Sequence, residues 1–234
     1  MNSNETLATI YPSFVYHKIW NVDKEFNNKL YLLAKEDYLK NGLSETNTEK
    51  NIGSVTNHLG HLRHNFLDDY KHEPVIKEFV KMCDSMCRQY LLKAYGYEHT
   101  GKIFMMSDTF LQRRDKKQNI GINNHTHPKC DLVLTYYPKF NLDENINESL
   151  RRGVVRCYDP ANIGKRFWKI NKNDFFIGGW YEVHVQESSM LLIEGYLPHD
   201  SSYFEGDERM CIPVLIDIDT PKKHIKVSSE ELLK

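Results

Sequence analysis

From about residue 102 onward the chain is a succession of short apolar runs with no long helical period between them, which restricts it to an architecture of packed strands. The runs are Ile103-Phe-Met-Met106, Leu132-Val-Leu-Thr-Tyr-Tyr137, Gly153-Val-Val-Arg-Cys-Tyr158, Phe175-Phe-Ile177, Met190-Leu-Leu-Ile193 and Met210-Cys-Ile-Pro-Val-Leu-Ile216. Each is β-branched or aromatic in character and bounded by Gly, Pro, Asn or Asp, the residues that turn a chain. Six such runs predict a barrel or jelly roll. Pro213, which has no N–H to give to a ladder, suits an edge strand or a bulge better than a central strand.

The first hundred residues read differently. Val22, Phe26, Leu30 and Leu33 recur at helical spacing behind Asn21 and Asp23, either of which can cap the helix. A second helix starts at Pro74, carries Val75, Phe79, Met82, Met86 and Leu91 on one face, and stops at Gly96. Residues 41 to 73 between them are polar and read as a long loop. The Lys/Glu-rich tail after Pro221 reads as a solvated end. The expected class is mainly β with N-terminal helices (α+β), in one domain of 234 residues. Within it, residues 1–100 form a largely helical part, 101–218 the β core and 219–234 the tail.

Charge and composition exclude several functions. With 31 Lys and Arg against 32 Asp and Glu the formal net charge is -1, so the basic footprint of a general nucleic-acid binder is absent. Arg113-Arg-Asp-Lys-Lys117 reads as an exposed hairpin turn. No apolar run is long enough to span a bilayer, and the N-terminus has no basic segment followed by an apolar one. The chain is therefore expected in the cytoplasm. The five cysteines, Cys83, Cys87, Cys130, Cys157 and Cys211, are odd in number and scattered, which suits reduced thiols. Cys83 and Cys87 read as small buried hydrophobes on the second helix.

The residues that point to chemistry are His125 and His127 in Asn123-Asn-His-Thr-His-Pro128, His199 in Gly195-Tyr-Leu-Pro-His199, and Arg209. In an extended segment residues i and i+2 share a face about 7 Å apart, so both imidazoles can aim at one point. A third histidine at the end of a buried strand completes a metal site if the fold brings the segments together. Arg209 opens the next strand, where its fork of donors suits a carboxylate. A surface pairing of Arg209 with Glu205, Asp207 or Glu208 is the plain alternative. His58, His61 and His64 lie in the polar loop and read as solvated. Trp168, Trp180 and Tyr181 read as core or rim aromatics.

In this order and spacing the sequence resembles the non-haem iron(II), 2-oxoglutarate-dependent oxygenases, and among them a bacterial and phage subgroup related to the prolyl hydroxylases. The residues that carry the resemblance are His125-Thr-His-Pro128, Leu134-Thr-Tyr-Tyr137, Gly153-Val-Val-Arg-Cys-Tyr-Asp-Pro160, Tyr196-Leu-Pro-His199 and Glu208-Arg209. The match spans about residues 100 to 218. It implies a double-stranded β-helix in which His125, His127 and His199 hold iron(II), Arg209 clamps the distal carboxylate of 2-oxoglutarate, and Tyr136 donates to the same group. Cys211 stands where related enzymes often have a Ser or Thr that assists, and position 127 is histidine where the usual triad has Asp or Glu. That histidine argues against a halogenase variant, which needs a small residue there.

The implied reaction uses O2 to decarboxylate 2-oxoglutarate to succinate and CO2 while a C–H bond of a second substrate is hydroxylated. That substrate is a peptide or a small molecule, selected by loops within residues 41–73 and 140–175. Two other readings stand beside it. His125, His127, Asp131 and His199 also resemble a cupin metal site, which would not use 2-oxoglutarate. A jelly roll without catalysis needs no convergent histidines at all.

Overall fold

The computed structural model describes residues 13–41, 65–113, 122–142, 152–158, 180–222 and 225–234. Among them are eleven strands and four helices, in the order β1 (Val15–Ile19), α1 (Lys24–Asn41), α2 (Phe66–Asp69), α3 (Pro74–Tyr95), β2 (Ile103–Ser107), β3 (Phe110–Arg113), β4 (Ile122–His125), β5 (Leu132–Leu142), β6 (Val155–Tyr158), β7 (Trp180–Val183), β8 (Ser189–Glu194), β9 (His199–Ser201), β10 (Gly206–Ile218), β11 (Val227–Ser228) and α4 (Ser229–Leu232). The chain is mainly β, in antiparallel sheets. No helix among the described residues is long and apolar enough to cross a membrane.

The strands form a seven-stranded sheet in the order β1-β8-β5-β10-β2-β11, with β3 also on β10, and a four-stranded sheet in the order β4-β9-β6-β7. They pack face to face through Val133, Tyr137, Leu191, Ile193, Cys211 and Leu215 on the large sheet and Val155, Cys157 and Val183 on the small one. The other face of the large sheet is covered by α1, α2 and α3. Because β5, β8 and β10 are buried on both faces, they read as continuous apolar runs instead of alternating ones.

Both expected helices form where their residues dictate. Asp23 caps α1 by accepting from the Phe26 N–H at 2.6 Å, and Gly96 ends α3 at φ 65°, a backbone that glycine adopts without strain. Cys83 and Cys87 are buried on α3 with free thiols.

Several expectations need correction. The largely helical N-terminal part also contributes one strand that the sequence reading did not single out, β1, which pairs with β8 along Val15–Ile19. The span read as one loop to residue 73 contains α2, which buries Phe66 and Leu67 behind the Asn65 cap. The tail is not a solvated end: β11 pairs with β2, a Ser228–Glu231 capping box starts α4, and Leu232 is fully buried. Asn65 shares that edge of β2, accepting from the Ser107 N–H at 2.9 Å and donating to the Met105 carbonyl at 3.3 Å.

Pro213 lies in a central strand after all. On one side it sits opposite Thr135 of β5. On the other it falls where the partner of β10 changes from β3, which ends at Cys211, to β2, which begins at Val214. A residue without an N–H is tolerated at that gap, and its carbonyl accepts from the Ser107 hydroxyl at 2.8 Å. The expected strand at Phe175–Ile177, the histidines at 58, 61 and 64, residues 114–117 and Trp168 lie outside the described residues.

Candidate metal centre

The three histidines come from neighbouring backbone. His125 ends β4 and His199 begins β9, and the two are register partners across those strands. His127 follows β4 and is tied to the end of β8, its N–H donating to the Gly195 carbonyl at 2.6 Å while its carbonyl accepts from the Cys130 N–H at 3.2 Å. Only glycine fits at 195. A Cβ there would stand 2.3 Å from the Cys130 carbonyl oxygen and 2.7 Å from that of His127.

The result is a compact triangle. One ligand atom from each of His125, His127 and His199 lies within 4.8 Å of the others, and the ring centroids are 4.2 to 5.1 Å apart. The Nδ1 of His199 is 2.8 Å from the Leu197 carbonyl. A carbonyl only accepts, so Nδ1 carries the proton and Nε2 keeps its lone pair. Burial, with the other two rings as a second cause, holds His127 neutral down to about 2, and burial and His125 hold His199 neutral down to about 3. Three imidazoles facing one point are the donor chemistry of a first-row transition metal, so these residues fit such an ion.

Asp131 is not part of this triangle. One of its oxygens accepts from the Ile218 N–H at 2.9 Å and the other pairs with Lys222 at 2.6 Å. The four-ligand arrangement of the cupin reading loses its acid.

Arg209 lies inward on β10 and is 1 % exposed. It donates to the Gly153 carbonyl at 2.9 Å and to the Ser201 hydroxyl at 3.1 Å, and its guanidinium lies 5.1 Å from the centre of the Phe204 ring. Ser201 is two residues after His199 on the same strand, hence on the same face and about 7 Å further along it, so the guanidinium is held on the face that carries the imidazole. Gly153, at φ 68°, makes room: a Cβ there would be 2.3 Å from an Arg209 nitrogen. The Cys211 thiol is on the same inner face, where burial raises its pKa and Arg209 pulls the other way.

Tyr136 is placed otherwise than expected. Its side chain points into the helical layer, where the hydroxyl donates to Asn27 Oδ1 at 2.6 Å and the ring meets Phe79. Tyr137 points inward instead. Burial drives its phenol strongly upward, Cys211 adds to the shift, and the positive Arg209 opposes it, so this neutral hydroxyl shares the field of Arg209. Sequence reasoning left out Ser201 and Phe204 and took Tyr137 and Gly153 only as motif residues without a place beside Arg209. The period of two from His199 was signal enough for Ser201, whereas nothing local marked Phe204.

Across the small sheet the register runs His125, His199, Cys157, Tyr181 on β4, β9, β6 and β7. Tyr181 therefore shares the triad's face, about 10 Å from His199 at the usual strand spacing, and it is 42 % exposed. Trp180 is on the opposite face, beside Tyr158.

No family model matches the chain. No curated protein matches it in sequence. Solved structures do match in shape. A non-haem alpha-ketoglutarate-dependent carbocyclase, SnoK, from nogalamycin biosynthesis superposes with a TM-score of 0.56 at 10% identity, covering 91% of this chain and 82% of its own. A prolyl hydroxylase from Trichoplax adhaerens, bound to a hypoxia-inducible-factor degradation-domain peptide, gives 0.53 at 14% identity, covering 87% and 83%. The epimerase SnoN, in complex with Fe3+, alpha-ketoglutarate and nogalamycin RO, gives 0.50 at 11% identity, covering 87% and 78%. These identities carry the fold and nothing finer, and the chain has the fold of the iron- and 2-oxoglutarate-dependent oxygenases, prolyl hydroxylases among them.

Proposed function

We propose that this chain is an iron(II)- and 2-oxoglutarate-dependent dioxygenase built as one double-stranded β-helix domain, and that it hydroxylates a C–H bond of a peptide or small-molecule substrate. The observation that carries the reading is the pairing, inside one sheet sandwich, of a three-histidine triangle with a buried arginine one side-chain step along β9. A non-catalytic jelly roll has no need for three convergent histidines.

In this reading His125, His127 and His199 hold the iron, and the Leu197 carbonyl fixes the His199 ring in the ligating tautomer. Iron bound there, with 2-oxoglutarate and O2, supplies the oxidising chemistry. Arg209 takes the distal carboxylate of 2-oxoglutarate, with Ser201 and Tyr137 as neutral partners in place of the hydroxyl that Cys211 lacks. Val133, Leu191, Ile193 and Leu215 line the space between the sheets and exclude water. Tyr181 contacts the hydroxylated substrate at the mouth. Five free cysteines suit a cytoplasmic location.

Anaerobic addition of 2-oxoglutarate to the iron(II)-loaded protein is the test. It should raise a weak visible charge-transfer band, and admission of air should then release succinate. Arg209→Ala should weaken 2-oxoglutarate binding about 100-fold, the scale of losing a buried charge partner. Absence of both band and succinate in the metal-loaded wild type would refute the proposal.

A further inference from the structure

Each carboxylate that lies close in sequence to the three histidines is committed elsewhere. Asp131, four residues after His127, is held by Ile218 and Lys222. Glu194, five residues before His199, accepts from the Tyr90 and Tyr95 hydroxyls and from the Phe14 N–H. Asp200 follows His199 directly but points to the other face of β9, where Arg156 grips both its oxygens at 2.7 and 2.9 Å and Tyr158 donates at 2.5 Å. The donor set among the described residues is thus all imidazole. His127 is also a built member of it, since its backbone is tied to Gly195 on one side and Cys130 on the other and the residue is 7 % exposed.

We infer that His127 makes this centre selective for borderline first-row ions, iron(II), cobalt(II), nickel(II), copper(II) and zinc(II), and discriminates against the hard ions manganese(II) and magnesium(II). The inference rests on the histidine triangle being the metal centre proposed above. Its physical basis is the donor type. A neutral imidazole gives a hard ion less Coulomb attraction than a carboxylate would, whereas borderline ions recover stability from covalent bonding to nitrogen. A carboxylate at position 127 would narrow the gap by holding manganese(II) through charge.

Metal binding by the full chain, freed of metal by chelation, tests this without turnover. Cobalt(II) is followed by its visible d–d absorption and manganese(II) by loss of the electron paramagnetic resonance signal of the free aquo ion. The wild type should take up one cobalt(II) per chain and bind manganese(II) at least about 100-fold more weakly. His127→Asp should keep the cobalt(II) stoichiometry and reduce the cobalt-to-manganese preference at least about tenfold, with His127→Glu as the second carboxylate if the first variant does not fold. Equal affinity for the two ions in the wild type, or an unchanged ratio in a folded carboxylate variant, would overturn the selectivity role. Failure of the wild type to bind cobalt(II) at all would instead overturn the metal centre itself.

Discussion

The outer face of the large sheet meets the helices through Leu132, Leu134, Met190, Leu192, Ile212 and Val214, while its inner face interrupts an apolar lining with Arg209, Tyr137 and Cys211. On the outer face the polar atoms that occur serve attachment, as when Tyr136 pins Asn27 of α1. On the inner face they converge on one region and are matched individually, Arg209 by Gly153 and Ser201. The same strands therefore carry cohesion on one side and chemistry on the other, and a strand parity of one residue decides to which a side chain contributes.

Substitutions can separate the two faces. The largest effect is expected at His199: replacement by alanine should abolish stoichiometric metal binding by metal analysis while leaving the thermal transition of the metal-free protein in place. Retention of one ion per chain would remove His199 from the centre. On the helical side, Phe79 is fully buried against Tyr136, and Phe79→Ala should lower stability by about 3–5 kcal/mol in urea titration. If the variant still folds, its metal stoichiometry should be unchanged.

Acid should also act through the inner side. In the folded chain His127 and His199 lie at about 2 and about 3 against an ordinary value of 6.5, burial being the leading cause. Between pH 6.5 and 3 the unfolded chain binds more protons than the folded one. This contribution to stability is complete above pH 6.5 and is lost as the pH falls through that window, by up to about 1.4 kcal/mol per pH unit for each ring. Urea midpoints of the metal-free protein at several pH values report the slope, which should be shallower in His199→Ala. An identical slope would mean that the ring is open to water.

The smallest and sharpest contrast is between adjacent tyrosines. Tyr136→Phe should cost about 1 kcal/mol of stability, one hydrogen bond to Asn27, without altering 2-oxoglutarate affinity. Tyr137→Phe should weaken 2-oxoglutarate about fivefold with little change in stability. Reversed results would exchange the two faces.

Much of this was legible in the sequence. The histidines, Arg209, both long helices and the principal strands follow from spacing and from turn residues. The tyrosine was misassigned for a physical reason: Leu132 to Tyr137 is buried on both faces, so no alternation marks which of the pair looks inward. The register of β5 against β10 also shifts between Met210 and Ile212, opposite Tyr137 and Pro138, and a bulge cannot be counted from apolar period alone. β1, β4, β7 and β9 are short, and all four contain His, Asp or Glu, so they carry little strand signal. The committed acids were invisible because Lys222, Tyr90 and Arg156 approach them from remote parts of the chain.

The free margin of β2 is finished by two unrelated pieces, the side-chain amide of Asn65 and the short strand β11 with its docked helical turn α4. An open strand margin is a template on which a second molecule can stack. Residues 225–232 thus cover part of that margin, and the sheet ends on a strand of two residues. Loss of that segment would show itself as a sticking, poorly soluble protein long before it disturbed a single histidine.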